Sequence, residues 1–459
     1  MSYFFISAAH KSSGKTTVSI GLGAALKNRG LSVQPFKKGP DYIDPLWLTA
    51  ATGRSCINLD FYTMPSAEIV DEFARHMVGA DIGLIEGNKG LYDGLDLDGS
   101  NSNAALAALF DAPVILVIDA RGMTRGIAPL ILGYQAFDPD VRIQGVILNK
   151  VGGSRHEGKL RRVIEHYTDA KVVGAVHYAR ELEIDERHLG LIPSNEAAKA
   201  REQIMQLGQV VGGQVDLERV LAIADTSPPV TRQVKQLDVF EGRRLRIGYP
   251  KDKAFGFYYP GDLEKLEAEG AELVEFNALA DSELPPIDGL FIGGGFPEMA
   301  MEALEANHSM RESIKRFVED GGPVYAECGG LMYLSRSLSW NGKRCEMVGA
   351  IPGDTVMYEK PQGRGYVRLQ ERKEMPWPNS GGEAGSEIAA HEFHYSALEN
   401  LGEGVSFAYD VKRGAGINGE HDGLIYKNTL ASYTHLRDVG GNRWTQRFLD
   451  HVRACSGLY

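Results

Sequence analysis

Cys328 lies in the run Pro323-Val324-Tyr325-Ala326-Glu327-Cys328-Gly329-Gly330-Leu331, where a short apolar strand meets a glycine pair and then a new apolar segment. Such a junction predicts a sharp turn from strand into helix, with amides free at the helix start to favour a thiolate and to hold an oxyanion. Upstream, Asp288-Gly289-Leu290-Phe291-Ile292 leads into Gly293-Gly294-Gly295, a second source of unpaired amides, and Ala431-Ser432-Tyr433-Thr434-His435 delivers a histidine near the end of the chain. A thiol, a glycine turn and a distant histidine are the parts of a thiol acyl-transfer centre. Cys328 is the expected nucleophile, His435 its base, and Gly294, Gly295 and Gly329 the oxyanion and carbonyl donors.

A different chemistry is written into the first half. Strand-like Tyr3 to Ala8 runs through Ala9-His10-Lys11-Ser12-Ser13 into Gly14-Lys15-Thr16-Thr17 and an amphipathic segment reaching about Arg29. Strand, loop, Gly-Lys-Thr and helix make a phosphate loop: Ser13, Gly14, Lys15, Thr16 and Thr17 wrap a nucleotide's phosphates, and the Thr16 hydroxyl ligates magnesium. A second strand, Leu31 to Phe36, hands over Lys37-Lys38-Gly39-Pro40-Asp41-Tyr42-Ile43-Asp44. In an open parallel sheet ligands gather beyond the carboxyl ends of strands, so Lys37 is expected at the nucleotide, Asp44 or Asp41 at the metal, and Asp41 with Tyr42 at the substrate. The strand Asp81 to Ile85 ends in Glu86, the place for a magnesium-associated carboxylate, and Tyr92 and Asp93 follow in the next loop as substrate contacts.

These side chains need two scaffolds. Further apolar strands at Pro113–Ile118, which ends at Asp119 before Arg121 and Arg125, at Ile143–Leu148 and at Lys171–Val176 alternate with helical stretches, so the first half is expected to be a doubly wound parallel α/β sheet. Residues 1–225 form the expected first domain, 226–245 with Pro228-Pro229 a linker, and 246–459 a second α/β domain. A chain of 459 residues is long enough for two such cores.

The composition narrows the class. A net charge of −12 argues against general affinity for nucleic acid or anionic membrane. No apolar run approaches the roughly 18 residues of a membrane span, and the opening Met1 to Ile6 reads as a strand without a cleavage pattern, so a cytoplasmic protein is expected. Four cysteines, Cys56, Cys328, Cys345 and Cys455, show neither paired metal-ligand spacing nor a disulfide framework.

Taken together, Gly14-Lys15-Thr16-Thr17, Lys37 to Asp44, Ile85-Glu86-Gly87 and Gly90-Leu91-Tyr92-Asp93-Gly94 resemble the synthetase domain of cobyrinic acid a,c-diamide synthases, which is related in fold to dethiobiotin synthetase. Phe255 to Pro260, Gly293 to Glu298, Ala326 to Tyr333, His391 to Ser396 and Ser432 to His435 resemble the class I glutamine amidotransferase domain of the same family. The resemblance implies that Cys328 attacks the side-chain amide of glutamine with His435 as base, and that ATP with Mg2+ activates a carboxylate as an acyl phosphate. It also implies a polycarboxylate tetrapyrrole as acceptor, amidated on its a and c acetates: cobyrinate or hydrogenobyrinate, with sirohaem or a sirohydrochlorin-type macrocycle as the alternative. A homodimer is left open.

Two departures from the family pattern stand out. Arg437 occupies the position two after His435, where many class I amidotransferases carry glutamate, so a backbone carbonyl or a glutamate elsewhere must orient the histidine. Asn88-Lys89 replaces a commonly apolar pair beside the expected acceptor site. The rival from another class is a partitioning-type regulatory ATPase of the same nucleotide-binding fold; its signature lysine would fall on His10, with Lys11 beside it.

Overall fold

The computed structural model describes residues 1–179, 184, 186–187, 190–195, 199–232, 240–378 and 387–457. The chain divides into two compact units, Met1–Gln236 and Leu237–Tyr459. Of the expected linker 226–245, residues 233–239 lie outside the described residues. No described helix is long and apolar enough to cross a membrane.

The first unit is built on strands β1 (Ser2–Ala8), β2 (Val33–Lys38), β3 (Ile57–Leu59), β4 (Ile82–Glu86), β5 (Val114–Asp119), β6 (Ile143–Val151) and β7 (Val172–His177). They form one sheet in the order β3-β2-β4-β1-β5-β6-β7, with every neighbouring pair parallel. Strands such as Val114–Asp119 are buried along their whole length, which is why they read as unbroken apolar runs rather than alternating ones. Because the chain starts in mid-sheet and winds to both sides, the ends of β2, β4, β1 and β5 converge on one crevice. Helix α1 (Lys15–Asn28) leaves β1 through Gly14, whose left-handed φ of 82° suits glycine. Helix α2 (Ile43–Thr52) follows β2. The boundaries differ from the sequence reading: β2 begins at Val33 and runs on to Lys38, so Lys37 and Lys38 are buried inside the strand end rather than just beyond it.

The second unit contains β8 (Leu245–Pro250), β9 (Phe255–Phe257), β10 (Ala271–Phe276), β11 (Gly289–Ile292), β12 (Gly294–Gly295), β13 (Val324–Glu327), β14 (Gly363–Glu371), β15 (Glu387–His394), β16 (Ser406–Arg413), β17 (His421–Tyr426) and β18 (Thr429–Ser432). Nine of them make a mixed sheet, β10-β8-β11-β13-β18-β17-β16-β14-β15, parallel from β10 to β18 and antiparallel beyond. The two-residue β12 pairs separately with β9. Apolar clusters cover the two faces: Leu290, Ile292, Val324 and Ala326 pack with Leu331 and Ile314, while Phe291 and Tyr325 pack with Trp444 and Phe448.

Helix α3 (Gly329–Leu334) is pressed hard against β11: a Cβ on Gly330 would lie 2.2 Å from the Ile292 carbonyl oxygen. Both partners are backbone, so neither side can yield by a rotamer change. We expect Gly330→Ala to destabilise the protein by roughly 1–3 kcal/mol, seen as a lower midpoint in urea denaturation.

Candidate functional site

At the crevice of the first unit, sheet register sets the geometry. Lys37 on β2 pairs in register with Glu86 on β4, and its Nζ lies 2.7 Å from Glu86 Oε1. The same ammonium contacts Asp44 and stands 3.5 Å from Asp41 Oδ2. Lys15 Nζ reaches Glu86 Oε1 at 3.0 Å, and the Thr16 hydroxyl lies 3.0 Å from that oxygen and 3.1 Å from Asp44 Oδ2. Glu86 Oε2 is buried with no hydrogen-bond partner.

Burial and mutual charge set the protonation states. Burial pushes the Lys15 ammonium down, against Glu86. Lys37 is desolvated too, yet Asp44, Glu86 and Asp41 hold it well above the ordinary value. Burial raises the Glu86 carboxyl, but Lys15 and Lys37 outweigh it and keep the group ionised. Asp44 is pushed up to about 7 by burial and by Asp41. Such a nest of paired charges can exchange its internal partners for the phosphates and cation of a nucleotide.

The remaining expected residues are placed as follows. Ser13 is buried and donates to the His10 carbonyl at 2.7 Å, shaping the phosphate loop. Thr17 lies in the first turn of α1. Asp41 Oδ1 accepts the Ile43 amide at 2.9 Å, and Tyr42 is the buried residue that opens α2. Tyr92 donates its hydroxyl to the Tyr134 carbonyl at 2.6 Å, and Asp93 accepts the Gly90 amide at 2.9 Å, so both brace the loop that follows Glu86. Two residues escaped the sequence reading. Asn149, at the end of β6, donates to the Ser13 carbonyl at 2.8 Å, and Lys150 donates to the Ser12 carbonyl at 3.0 Å. The signal for them was a polar pair closing an apolar parallel strand.

In the second unit, Cys328 adopts φ 47°, a left-handed backbone for a non-glycine residue, at the joint between β13 and α3. Its amide donates to the Ser432 carbonyl at 2.7 Å, and its sulfur accepts the Gly329 amide. The expected thiolate needs correction: burial, reinforced by Glu298, pushes the Cys328 thiol far up. The helix that follows has only six residues, too short for a strong dipole. Attack by this thiol therefore requires a base to take its proton.

His435 follows β18, the strand that pairs with β13, which ends just before Cys328. Its Nδ1 lies 3.2 Å from Glu327 Oε2, and Glu327 is itself held by the Tyr325 hydroxyl at 2.6 Å and the Leu436 amide at 2.9 Å. Glu327, the residue before Cys328, is thus the orienting carboxylate that the sequence left undetermined. A charged residue ending an otherwise apolar strand was its visible trace. Arg437, in the position usual for that glutamate, instead lays its guanidinium 4.5 Å above the Tyr259 ring. The glycine turn closes over both groups: a Cβ on Gly294 would lie 2.7 Å from His435 Cε1, and one on Gly329 would lie 3.0 Å from the Gly295 nitrogen.

A nucleotide-type phosphate loop with buried lysines and carboxylates, and a Cys–His–Glu group beside a glycine turn, define a two-centre, nucleotide-dependent amidotransferase. Residues 5–192 match the CobQ/CobB/MinD/ParA nucleotide binding domain, and residues 246–439 match the CobB/CobQ-like glutamine amidotransferase domain. A cobyrinate a,c-diamide synthase from Magnetococcus marinus is 48% identical over 96% of this chain and 95% of its own. Relatives of the same name from Methanosarcina acetivorans and Archaeoglobus fulgidus are 42% and 41% identical, each over 95% of this chain and over 92% and 94% of their own. The chain belongs to the cobyrinate a,c-diamide synthase family and is a glutamine-dependent carbon–nitrogen ligase.

Two outcomes test this geometry. Alkylation of Cys328 by iodoacetamide, followed by mass spectrometry of its peptide, is expected to keep rising beyond about pH 9; a plateau below pH 7 would mark a stabilised thiolate instead. Glu327→Gln is expected to lower the glutaminase kcat by roughly a hundredfold by misorienting His435. Amidation driven by added ammonia should stay at the wild-type rate.

Proposed function

We propose that the protein amidates the a and c acetate carboxylates of cobyrinate or hydrogenobyrinate at the expense of ATP and glutamine. The observation that carries this reading is that the chain aligns over nearly its whole length with relatives of that name. The cobyrinate name of those relatives favours this macrocycle over sirohaem and sirohydrochlorin types. A regulatory ATPase would have no use for the Cys328–His435–Glu327 group.

In this scheme residues 246–459 supply nitrogen. Cys328 Sγ attacks the glutamine side-chain carbonyl while His435 takes the thiol proton; the oxyanion faces the amides of Gly294, Gly295 and Gly329. As the intermediate collapses, His435 gives that proton to the departing amide nitrogen, which leaves as ammonia, and water hydrolyses the thioester to glutamate. Residues 1–225 supply activation. A substrate carboxylate oxygen attacks the γ-phosphorus of ATP, ADP leaves, and the acyl phosphate that forms is attacked by ammonia with loss of phosphate.

Lys15 leaves Glu86 to follow the transferring phosphoryl group, and Lys37, fixed between Glu86 and Asp44, stays beside it as a positive wall. Asn149 and Lys150 hold the phosphate loop in shape from behind. Asp41, Tyr42, Tyr92 and Asp93 are assigned to the acceptor's side of the crevice. The partnerless, buried Glu86 Oε2 with the Thr16 hydroxyl and Asp44 suits a hard cation that shares its ligands with phosphate oxygens, although no described cluster of three or more His, Cys, Asp or Glu forms a ready cage. Mg2+ held by Thr16, Asp44 and Glu86 would neutralise charge on the β- and γ-phosphates.

Cys328→Ala is expected to abolish glutamine-driven product while leaving ammonia-driven amidation intact; persistent use of glutamine would remove the thiol from the scheme. Lys15→Ala is expected to lower amidation from either nitrogen source by roughly a hundredfold or more. Product is read by mass spectrometry as two successive losses of one mass unit per carboxyl converted to carboxamide.

A further inference from the structure

The glycine turn that faces Cys328 is three consecutive glycines, Gly293-Gly294-Gly295, and nothing in their own backbone preferences fixes where their amides point. Something outside must hold them. On one side β9 pairs antiparallel with β12, Phe255 opposite Gly295 and Phe257 opposite Gly294, but this ladder is two residues long and irregular in register. Its downstream end is tied where the Phe296 amide donates to the Ala254 carbonyl at 3.0 Å.

Gly293, at the upstream end, lies outside the ladder, and here a side chain takes over. The Gly293 amide donates to the Tyr258 hydroxyl at 3.2 Å, and that hydroxyl donates in turn to the Pro250 carbonyl at 2.7 Å. Pro250 ends β8, which is paired on both sides, with β10 and β11, in the parallel half of the sheet. The phenol therefore links the mobile-by-composition turn to a rigid strand. Its ring is wedged edge-on against Phe291 and Tyr249, centroids 5.2 and 5.3 Å away, so the hydroxyl cannot swing. A Cβ on Gly293 would meet the ring at 2.5 Å, so turn and ring are fitted to each other. Burial raises the phenol's pKa well above its ordinary value, which keeps the proton that the bond to Pro250 needs.

The next residue serves the other half of the site. The Tyr259 hydroxyl is 3.3 Å from His391 Nδ1, and the His391 ring stacks on His435 with centroids 5.0 Å apart. The His435 amide also donates to the His391 carbonyl at 2.8 Å. One dipeptide thus touches the oxyanion turn with its first ring and the support of the base with its second.

We infer that Tyr258 is a positioning residue for glutamine hydrolysis, its hydroxyl fixing the Gly293–Gly295 turn so that the turn's amides meet the oxyanion formed at Cys328. The inference rests on the reading of Cys328 as the glutaminase nucleophile. Because the interaction it sets up strengthens only as charge develops on the carbonyl oxygen, its loss should fall on kcat rather than on KM.

The test is Tyr258→Phe in the full chain, which keeps the ring and its packing. Glutaminase kcat is expected to fall roughly tenfold with KM within about twofold of wild type. Alkylation of Cys328 by the chloroketone analogue of glutamine, which passes through an oxyanion, should slow by a similar factor, while alkylation by iodoacetamide, which does not, should be unchanged. Ammonia-driven amidation at the wild-type rate shows that the variant is folded. An unchanged kcat and chloroketone rate would overturn the inference, and so would equal slowing with both reagents, since that describes a loosened pocket rather than a displaced turn. Absence of glutaminase activity in the wild type, or its survival in Cys328→Ala, would instead count against the proposed function.

Discussion

A charge taken out of water into a parallel sheet survives only if the sheet itself delivers the opposite charge. That constraint organises the first unit, and in the second a buried carboxylate is satisfied by hydrogen bonds instead. In the first unit β2 and β4 are neighbours in parallel register, and the register sets Lys37 beside Glu86; neither group is exposed, and Asp44 with Glu86 keeps Lys37 charged while Lys15 with Lys37 keeps Glu86 charged. Lys15, Thr16, Asp41 and Asp44 assemble around that pair. In the second unit β13 ends in Glu327, whose oxygens are taken by Tyr325, Leu436 and His435. A one-residue slip of either strand would turn its carboxylate to the opposite face and leave its partner unpaired in the core.

Burial sets the condition of the reactive group in each unit. Lys15 is folded onto Glu86, a position that an incoming phosphate competes for, and burial has already weakened its hold on its proton. Cys328 rests as a thiol under the influence of burial and Glu298.

Much of this was legible in the sequence, and the reasons are local. Gly14-Lys15-Thr16 and Cys328-Gly329-Gly330 announce themselves because the backbone turns they need restrict which residues can stand there. Glu86 was legible because a carboxylate closing an apolar strand is costly to bury unless it has a cation to serve. What stayed hidden depends on contacts remote in sequence. Glu327 is 108 positions from His435, and no spacing rule connects them. Asn149 meets Ser13 across 136 positions. The state of Cys328 was misjudged because a helix start was read as activating, whereas the depth of the thiol and the brevity of the helix decide it. The bonds of Tyr92 to the Tyr134 carbonyl and of Asp93 to the Gly90 amide were likewise out of reach of spacing rules.

The order of the nine-stranded sheet carries one more implication. β15 is its outermost strand, three strands away from β17, yet His391 on β15 bridges back to His435 just past β18 in mid-sheet. The antiparallel half must therefore curl until its rim touches the centre. An edge that would otherwise offer unpaired amides to any passing strand is folded inward and put to use. That strand also carries Ile388 and Ala390 of the core, so an opening of the rim would take the stacked ring behind His435 and part of the apolar packing together.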